Sequence, residues 1–261
     1  MVVRSLNKLA LRFGYAFTLR KLPQYAVRKK ALGIPRDMDP EFVDLYEKTR
    51  HYTLTSVERM HALYEAVKYV VRSGLPGDLV ECGVWRGGSC MLMARTLLAL
   101  GDSTRKIYLY DTFAGMTRPG EADVHTVDGA EQVSRWEVFE REGYNEWCYA
   151  PIEEVHRNIV STGYPRESVV LVRGAVEETV PKVAPERIAL LRLDTDWFRS
   201  TYHELEHLYS RLLKNGILIV DDYGAYDGAR LAVDRYFSEH NVAMYLHRID
   251  TAGRIGVKTE D

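Results

Sequence analysis

A chain of 261 residues with 46% hydrophobic and 28% charged residues has the ordinary balance of a globular protein, enough for one sizeable domain with appendages or two small ones. No apolar run approaches the ~20 residues that a membrane-spanning helix needs, and the opening Met1-Val-Val-Arg-Ser-Leu-Asn-Lys lacks the apolar stretch of a signal peptide. The net charge of −2 conceals a division: residues 1–36 hold nine Lys/Arg and no acid, so the remainder sets 26 basic against 37 acidic residues, a body ill suited to nucleic acid.

Within the basic segment, Leu6, Leu9, Phe13 and Phe17 recur at helical spacing among Arg4, Lys8, Arg12 and Arg20. This predicts an amphipathic helix that packs on the chain's own acidic body or a second subunit, or lies peripherally on an anionic membrane. Pro35 and Arg36-Asp-Met-Asp-Pro40 mark a joint, and residues 1–50 read as an N-terminal basic helical extension before a main domain at 51–261. Ser56 to Val71 predicts a helix with Ser56 as N-cap and Val57, Met60, Leu63, Tyr64 and Val67 on one face. Gly74-Leu-Pro-Gly77 ends it.

Strands and helices then alternate. The predicted strands are Asp78–Gly83, Lys106–Thr112, Ser168–Arg173, Ile188–Asp194 and Gly216–Asp221. The predicted helices are Gly88–Leu100, Glu131–Gly143, Ile152–Thr162, Thr201–Lys214 and Gly228–Glu239. Such alternation implies a mostly parallel α/β sheet covered by helices on both faces. Tyr245–Asp250 and Gly253–Lys258 read as a terminal hairpin, adding an antiparallel edge strand and a total of seven. A parallel sheet ending this way suggests a Rossmann-like class I methyltransferase rather than a nicotinamide dehydrogenase. Residues 114–150, where Trp136, Tyr144, Trp147 and Tyr149 gather, read as an insertion that is either an aromatic lid over an acceptor or the core of an ordinary helix. Cys82, Cys90 and Cys148 form no C-x-x-C pair and suggest free thiols in a reducing, cytoplasmic compartment.

Three motifs carry chemistry. The first strand runs into Val80-Glu-Cys-Gly83-Val-Trp-Arg-Gly87-Gly88-Ser89, where glycines let backbone approach a ligand and a helix opens with free amides. The spacing is neither G-x-G-x-x-G nor a P-loop. Asp111 ends the second strand, where it can accept hydrogen bonds from ribose hydroxyls or simply cap a turn, and Ser89 is placed to hold the amino-acid end of S-adenosylmethionine. Two further runs close in acid pairs, Ile188-Ala-Leu-Leu-Arg-Leu-Asp194-Thr-Asp196 and Gly216-Ile-Leu-Ile-Val-Asp221-Asp222. Carboxylates crowded at one sheet edge either have raised pKa values or hold a hard cation, with Mg²⁺ the first candidate. His203-Glu-Leu-Glu-His207 matches the H-E-x-x-H of zinc proteases, but in an α/β setting its histidines read as surface residues.

These motifs, with Tyr52-Thr-Leu-Thr-Ser56, Tyr110-Asp-Thr-Phe113, Leu193-Asp-Thr-Asp-Trp197, Val220-Asp-Asp-Tyr-Gly224, Gly228-Ala-Arg230 and Arg248-Ile-Asp250, make about four-fifths of the chain resemble the macrocin O-methyltransferase family. More distantly, the acidic strand ends resemble those of catechol O-methyltransferase. The resemblance implies Mg²⁺- and S-adenosylmethionine-dependent methylation of a hydroxyl on a sugar or glycosylated natural product. It implies cofactor contacts from Glu81, Gly83, Trp85, Ser89 and Asp111, with Val176 near the adenine. It further implies metal ligation by Asp194, Asp221 and Asp222, Asp196 as general base, and a homo-oligomer. A nicotinamide oxidoreductase and a non-catalytic scaffold that keeps the cofactor fold are the alternatives.

Overall fold

The computed structural model describes residues 34–260; the predicted basic helix around Arg4 to Arg20 lies outside the described residues. The chain divides between Val43 and Asp44 into two compact units. In the described part of the first, Asp39 accepts a hydrogen bond from the Phe42 amide at 2.7 Å and so fixes the start of helix α1 (Pro40–Thr49).

The second unit is an α/β layer structure. After helix α2 (Val57–Arg72), capped as predicted by the Ser56 hydroxyl, come β1 (Asp78–Cys82), α3 (Gly88–Ala99) and β2 (Ile107–Asp111). Then follow α4 (Val133–Val138), the small β3 (Glu140–Arg141) and β4 (Tyr144–Asn145), α5 (Ile152–Val160), β5 (Val169–Arg173) and α6 (Val176–Thr179). The chain continues through β6 (Ile188–Leu193), α7 (Phe198–Leu208), β7 (Leu212–Val220), α8 (Asp227–Glu239), β8 (His247–Arg248) and β9 (Arg254–Val257). The main sheet runs β5-β2-β1-β6-β7-β9-β8, parallel over its first five strands and closed by the antiparallel hairpin β8–β9. The expected seven-stranded sheet is therefore present.

Alternation along the inner strands sorts their side chains between two helical layers. Val80 and Cys82 of β1 join Leu191 and Leu193 of β6 in a buried cluster with Leu205 and Leu208 of α7 and Val233 and Tyr236 of α8. Glu81 points the other way, where its carboxylate accepts from the Cys90 thiol of α3 at 2.7 Å.

Two predicted helices are corrected. The helix expected at Thr201–Lys214 begins earlier, at Phe198, because Asp123 accepts its first amide at 2.8 Å. It also ends earlier, since Tyr209–Arg211 tightens into a 3₁₀ turn and Leu212 pairs with Ile188 in the sheet. The helix expected at Glu131–Gly143 stops at Val138. The Asn145 side chain donates to the Trp136 carbonyl at 2.8 Å, and β3 pairs back on β4. Among the described residues no helix is long and apolar enough to cross a membrane.

Candidate active site

Strand register brings the predicted residues together. Cys82 is level with Tyr110 on one side and Leu193 on the other, and Leu193 is level with Val220. The ladder runs one residue further: the Gly83 amide donates to the Tyr110 carbonyl, Asp194 to Cys82, and Asp221 to Leu193. Asp111, Gly83, Asp194 and Asp221 thus stand side by side on the carboxyl edge. That edge is where the strand order reverses about β1, the usual place for a ligand in an open α/β sheet. A cleft of about 320 Å³ opens there, lined by Glu81, Gly83, Trp85, Ser89, Asp111, Asp194, Asp196, Asp221 and Asp222. Val176 lines a smaller adjoining pocket with Asp111 and Gly83.

The glycine turn is dictated by contact. Gly83 has φ +81°, and a Cβ there would fall 1.9 Å from the Asp194 carbonyl oxygen. Asp111 holds the turn from the next strand, accepting from the amides of Val84 at 2.8 Å, Trp85 at 3.1 Å and Phe113 at 2.7 Å. Burial still raises its carboxyl above the usual range against these three donors. Trp85 itself sits at φ +45°.

The acids are knit by two arginines that the sequence reading did not single out. Arg192, inside the hydrophobic run of β6, is almost wholly buried and donates to Glu81, to Asp194 at 2.6 Å and to Asp221. Arg59 of α2 donates to Asp221 and, at 3.0 Å, to Asp250. Thr55 completes the set around Asp221 at 3.2 Å. Burial pushes Glu81 up to about 7 despite the pull of Arg192. Asp222 is held well above the usual carboxylate range by burial and by Asp196, Asp194 and Asp221, and its Oδ2 is buried without a hydrogen-bond partner. Asp196 is raised likewise, by burial first and then by Asp194 and Asp221. An oxygen from each of Asp194, Asp221 and Asp222 lies within 4.8 Å of the others.

The family model of macrocin O-methyltransferase (TylF) matches residues 36–255. The chain belongs to the macrocin O-methyltransferase family. A relative 35% identical over 217 residues, 83% of this chain and 79% of that protein, is the 8-demethyl-8-(2,3-dimethoxy-alpha-L-rhamnosyl)-tetracenomycin-C 4'-O-methyltransferase of Streptomyces olivaceus. The demethyldecarbamoylnovobiocin O-methyltransferase of Streptomyces niveus is 33% identical, covering 77% of this chain and 74% of its own. Among solved structures, the O-methyltransferase NovP superposes with a TM-score of 0.69 at 31% identity, over 80% of this chain and 83% of its own. The protein is an O-methyltransferase, and the oxidoreductase and scaffold alternatives are set aside.

In this methyltransferase the segment after β2 shapes the cleft. Trp147 is buried edge-on to Trp197, with ring centroids 5.7 Å apart, and Trp197 meets Tyr226 at 5.1 Å. Arg135 lies over the Trp147 ring at 4.1 Å, and Arg135, Trp147, Cys148 and Tyr226 all line the cleft. Tyr144 and Tyr149 pack against each other in exposed positions, their rings tilted by 39° with centroids 4.7 Å apart, so the aromatic cluster is split between wall and surface. Cys148 beside the acids is pushed up to about 12, by burial first and then by Asp196 and Asp194. Cys82 and Cys90 are buried, and burial first raises both thiols well above their ordinary range. Iodoacetamide at pH 8 is expected to leave all three thiols largely unlabelled in the native protein and to label three in urea, because the thiolate is the nucleophile. Rapid native labelling of Cys148 would contradict that environment.

Besides the two arginines, Glu204 escaped the sequence reading in its actual place. It is wholly buried, and its Oε1 accepts from the Thr195 hydroxyl at 3.0 Å, between the two acids of the β6 loop.

Proposed function

We propose that this methyltransferase moves a methyl group from S-adenosylmethionine to a hydroxyl of a sugar or glycosylated natural product, with Mg²⁺ bound and Asp196 as general base. The observation that carries the reading is the meeting of a glycine-turn loop and four strand-end aspartates in one cleft. The relative named for a rhamnosyl-tetracenomycin supports a sugar hydroxyl as acceptor.

The donor set fits a hard divalent cation. Asp194, Asp221 and Asp222 offer closely spaced oxygens, and Asp222 Oδ2 has no other partner. Asp221 is the most engaged of the three, since it already answers Arg192, Arg59 and Thr55. When bound, S-adenosylmethionine supplies an electrophilic methyl, and Mg²⁺ orients vicinal acceptor oxygens and makes them more acidic.

The chain's own residues do the rest. Glu81 and the loop of Gly83 and Trp85 border the methyl donor; Asp111, held by three amides, accepts from its ribose, with Ser89 at its amino-acid end and Val176 beside its adenine. Asp196, which lines the same cleft two residues beyond the proposed metal ligand Asp194, takes the acceptor's proton. Trp147 and Tyr226 wall the acceptor from water. The same proposal takes residues 51–261 as the catalytic domain, with the 114–150 insertion as its lid. It takes the basic extension 1–50 as a packing or peripheral membrane element of a cytoplasmic homo-oligomer. The three free thiols support a reducing compartment.

A methylation assay across Mg²⁺ concentrations tests the metal. Chelator is expected to abolish activity, and Asp222→Ala to raise the Mg²⁺ needed for half-maximal rate about tenfold or more. Full activity in chelator would remove Mg²⁺ from the mechanism.

A further inference from the structure

Helix α7 carries a second group of metal-binding donors, separate in chemistry from the aspartates. His203 and His207 stand one turn apart, with ring centroids at 4.3 Å. In a zinc-protease reading Glu204 would be the base, but it is buried in the core against Thr195. Glu206 joins the histidines instead. One ring nitrogen of each histidine and one Glu206 carboxylate oxygen lie within 4.8 Å of one another, with Glu206 exposed and both histidines half-buried.

The imidazoles are prepared for ligation. His203 Nε2 lies 2.9 Å from the Val180 carbonyl oxygen, so that nitrogen carries the proton and Nδ1 keeps its lone pair. A carbonyl behind the ring is the usual device that fixes a ligating histidine. The His207 ring meets that of His203 edge-on from the next turn of the helix.

We propose that His203, Glu206 and His207 form a surface site for a borderline transition cation, with Zn²⁺ the best match, on one face of α7. Three protein ligands leave the remaining coordination to water, and Glu204, the base of a zinc-protease reading, is turned into the core. Imidazole selects zinc where the strand-end aspartates select magnesium, so the two sites divide metals by donor chemistry. The assignment is independent of the magnesium reading. Because α7 begins directly after the Asp194–Asp196 loop, occupancy braces the helix on which that loop is seated.

The test is calorimetric titration of ZnCl₂ into chelator-treated full-length protein in excess Mg²⁺. Asp222→Ala, His207→Gln and the double variant His203→Ala/His207→Gln run beside it, each shown to be folded by circular dichroism. The expected result is one equivalent of zinc in the wild-type and Asp222→Ala chains, about 10–100-fold weaker binding in His207→Gln, and none in the double variant. Zinc should also raise the melting temperature of the wild type and not of the double variant. Zinc bound as tightly by the double variant as by the wild type, or lost in Asp222→Ala and kept in the double variant, overturns the assignment.

Discussion

Replacing Asp196 with asparagine is expected to lower turnover about 10²–10⁴-fold while leaving S-adenosylmethionine affinity near the wild-type value. The substitution is nearly isosteric, and the backbone tolerates it: Asp196 sits at φ +66°, a left-handed conformation that asparagine adopts more readily than most residues. It also removes one of the like charges that raise Asp222. The variant should therefore melt no lower than the wild type, which separates loss of a base from loss of fold. Steady-state kinetics with calorimetry for the cofactor decides the matter. Wild-type turnover in the asparagine variant would end the assignment of Asp196 as base, and a parallel fall in cofactor affinity would move the residue to the donor side of the cleft.

Arg192→Met is expected to be the most destabilising single change in the site, about 3–5 kcal/mol at neutral pH. The guanidinium is buried, and its removal leaves Glu81, Asp194 and Asp221 facing one another without their shared cation. Arg192→Lys should fall between, since a compact ammonium cannot answer three carboxylates as a planar fork does. The loss has a pH signature with a definite sign. Glu81 is already pushed up to about 7 from an ordinary value of 4.5, and losing Arg192 raises it further. A carboxyl with a raised folded pKa favours the fold while protonated, so that stability is present below about pH 4.5 and is lost as the pH rises through 7. Urea denaturation at pH 5 and pH 8 should accordingly show a smaller deficit at pH 5. A deficit equal at both would mean that packing, not charge, explains the loss.

The inner strands were legible because β1, β2 and β6 are buried along nearly their whole length and end in, or run straight into, glycine or aspartate. The predicted Ile188–Asp194 and the observed Ile188–Leu193 differ by one residue. Helix α7 was misread because both of its ends are set from afar: its first amide is capped by Asp123, 75 positions away, and its last predicted residues are drawn into β7 by pairing with Ile188. No local periodicity carries either signal. Arg192 did leave a trace, an arginine inside the otherwise apolar Leu190-Leu-Arg-Leu193, since a charge in a buried strand demands partners. Which acids answer it depends on register between strands, and Arg59 reaches Asp221 across 162 positions from a helix outside the sheet. The acidic cluster was thus readable as a list of residues but not as a charge-balanced network.

The contact at Gly83 bears on how this family can be recombined. The donor loop after β1 touches the backbone of the β6 loop so closely that not even a methyl group fits between them. A chimera of two relatives with a single crossover between residues 83 and 194 joins loops shaped in different parents, and a small mismatch there displaces the aspartates along with the cofactor turn. Exchanging residues 114–150 as a cassette, with both loops from one parent, leaves that contact intact. Under the function proposed above, acceptor range would then be the tradable part of the molecule, and the methyl-transfer machinery would pass on as a single unit.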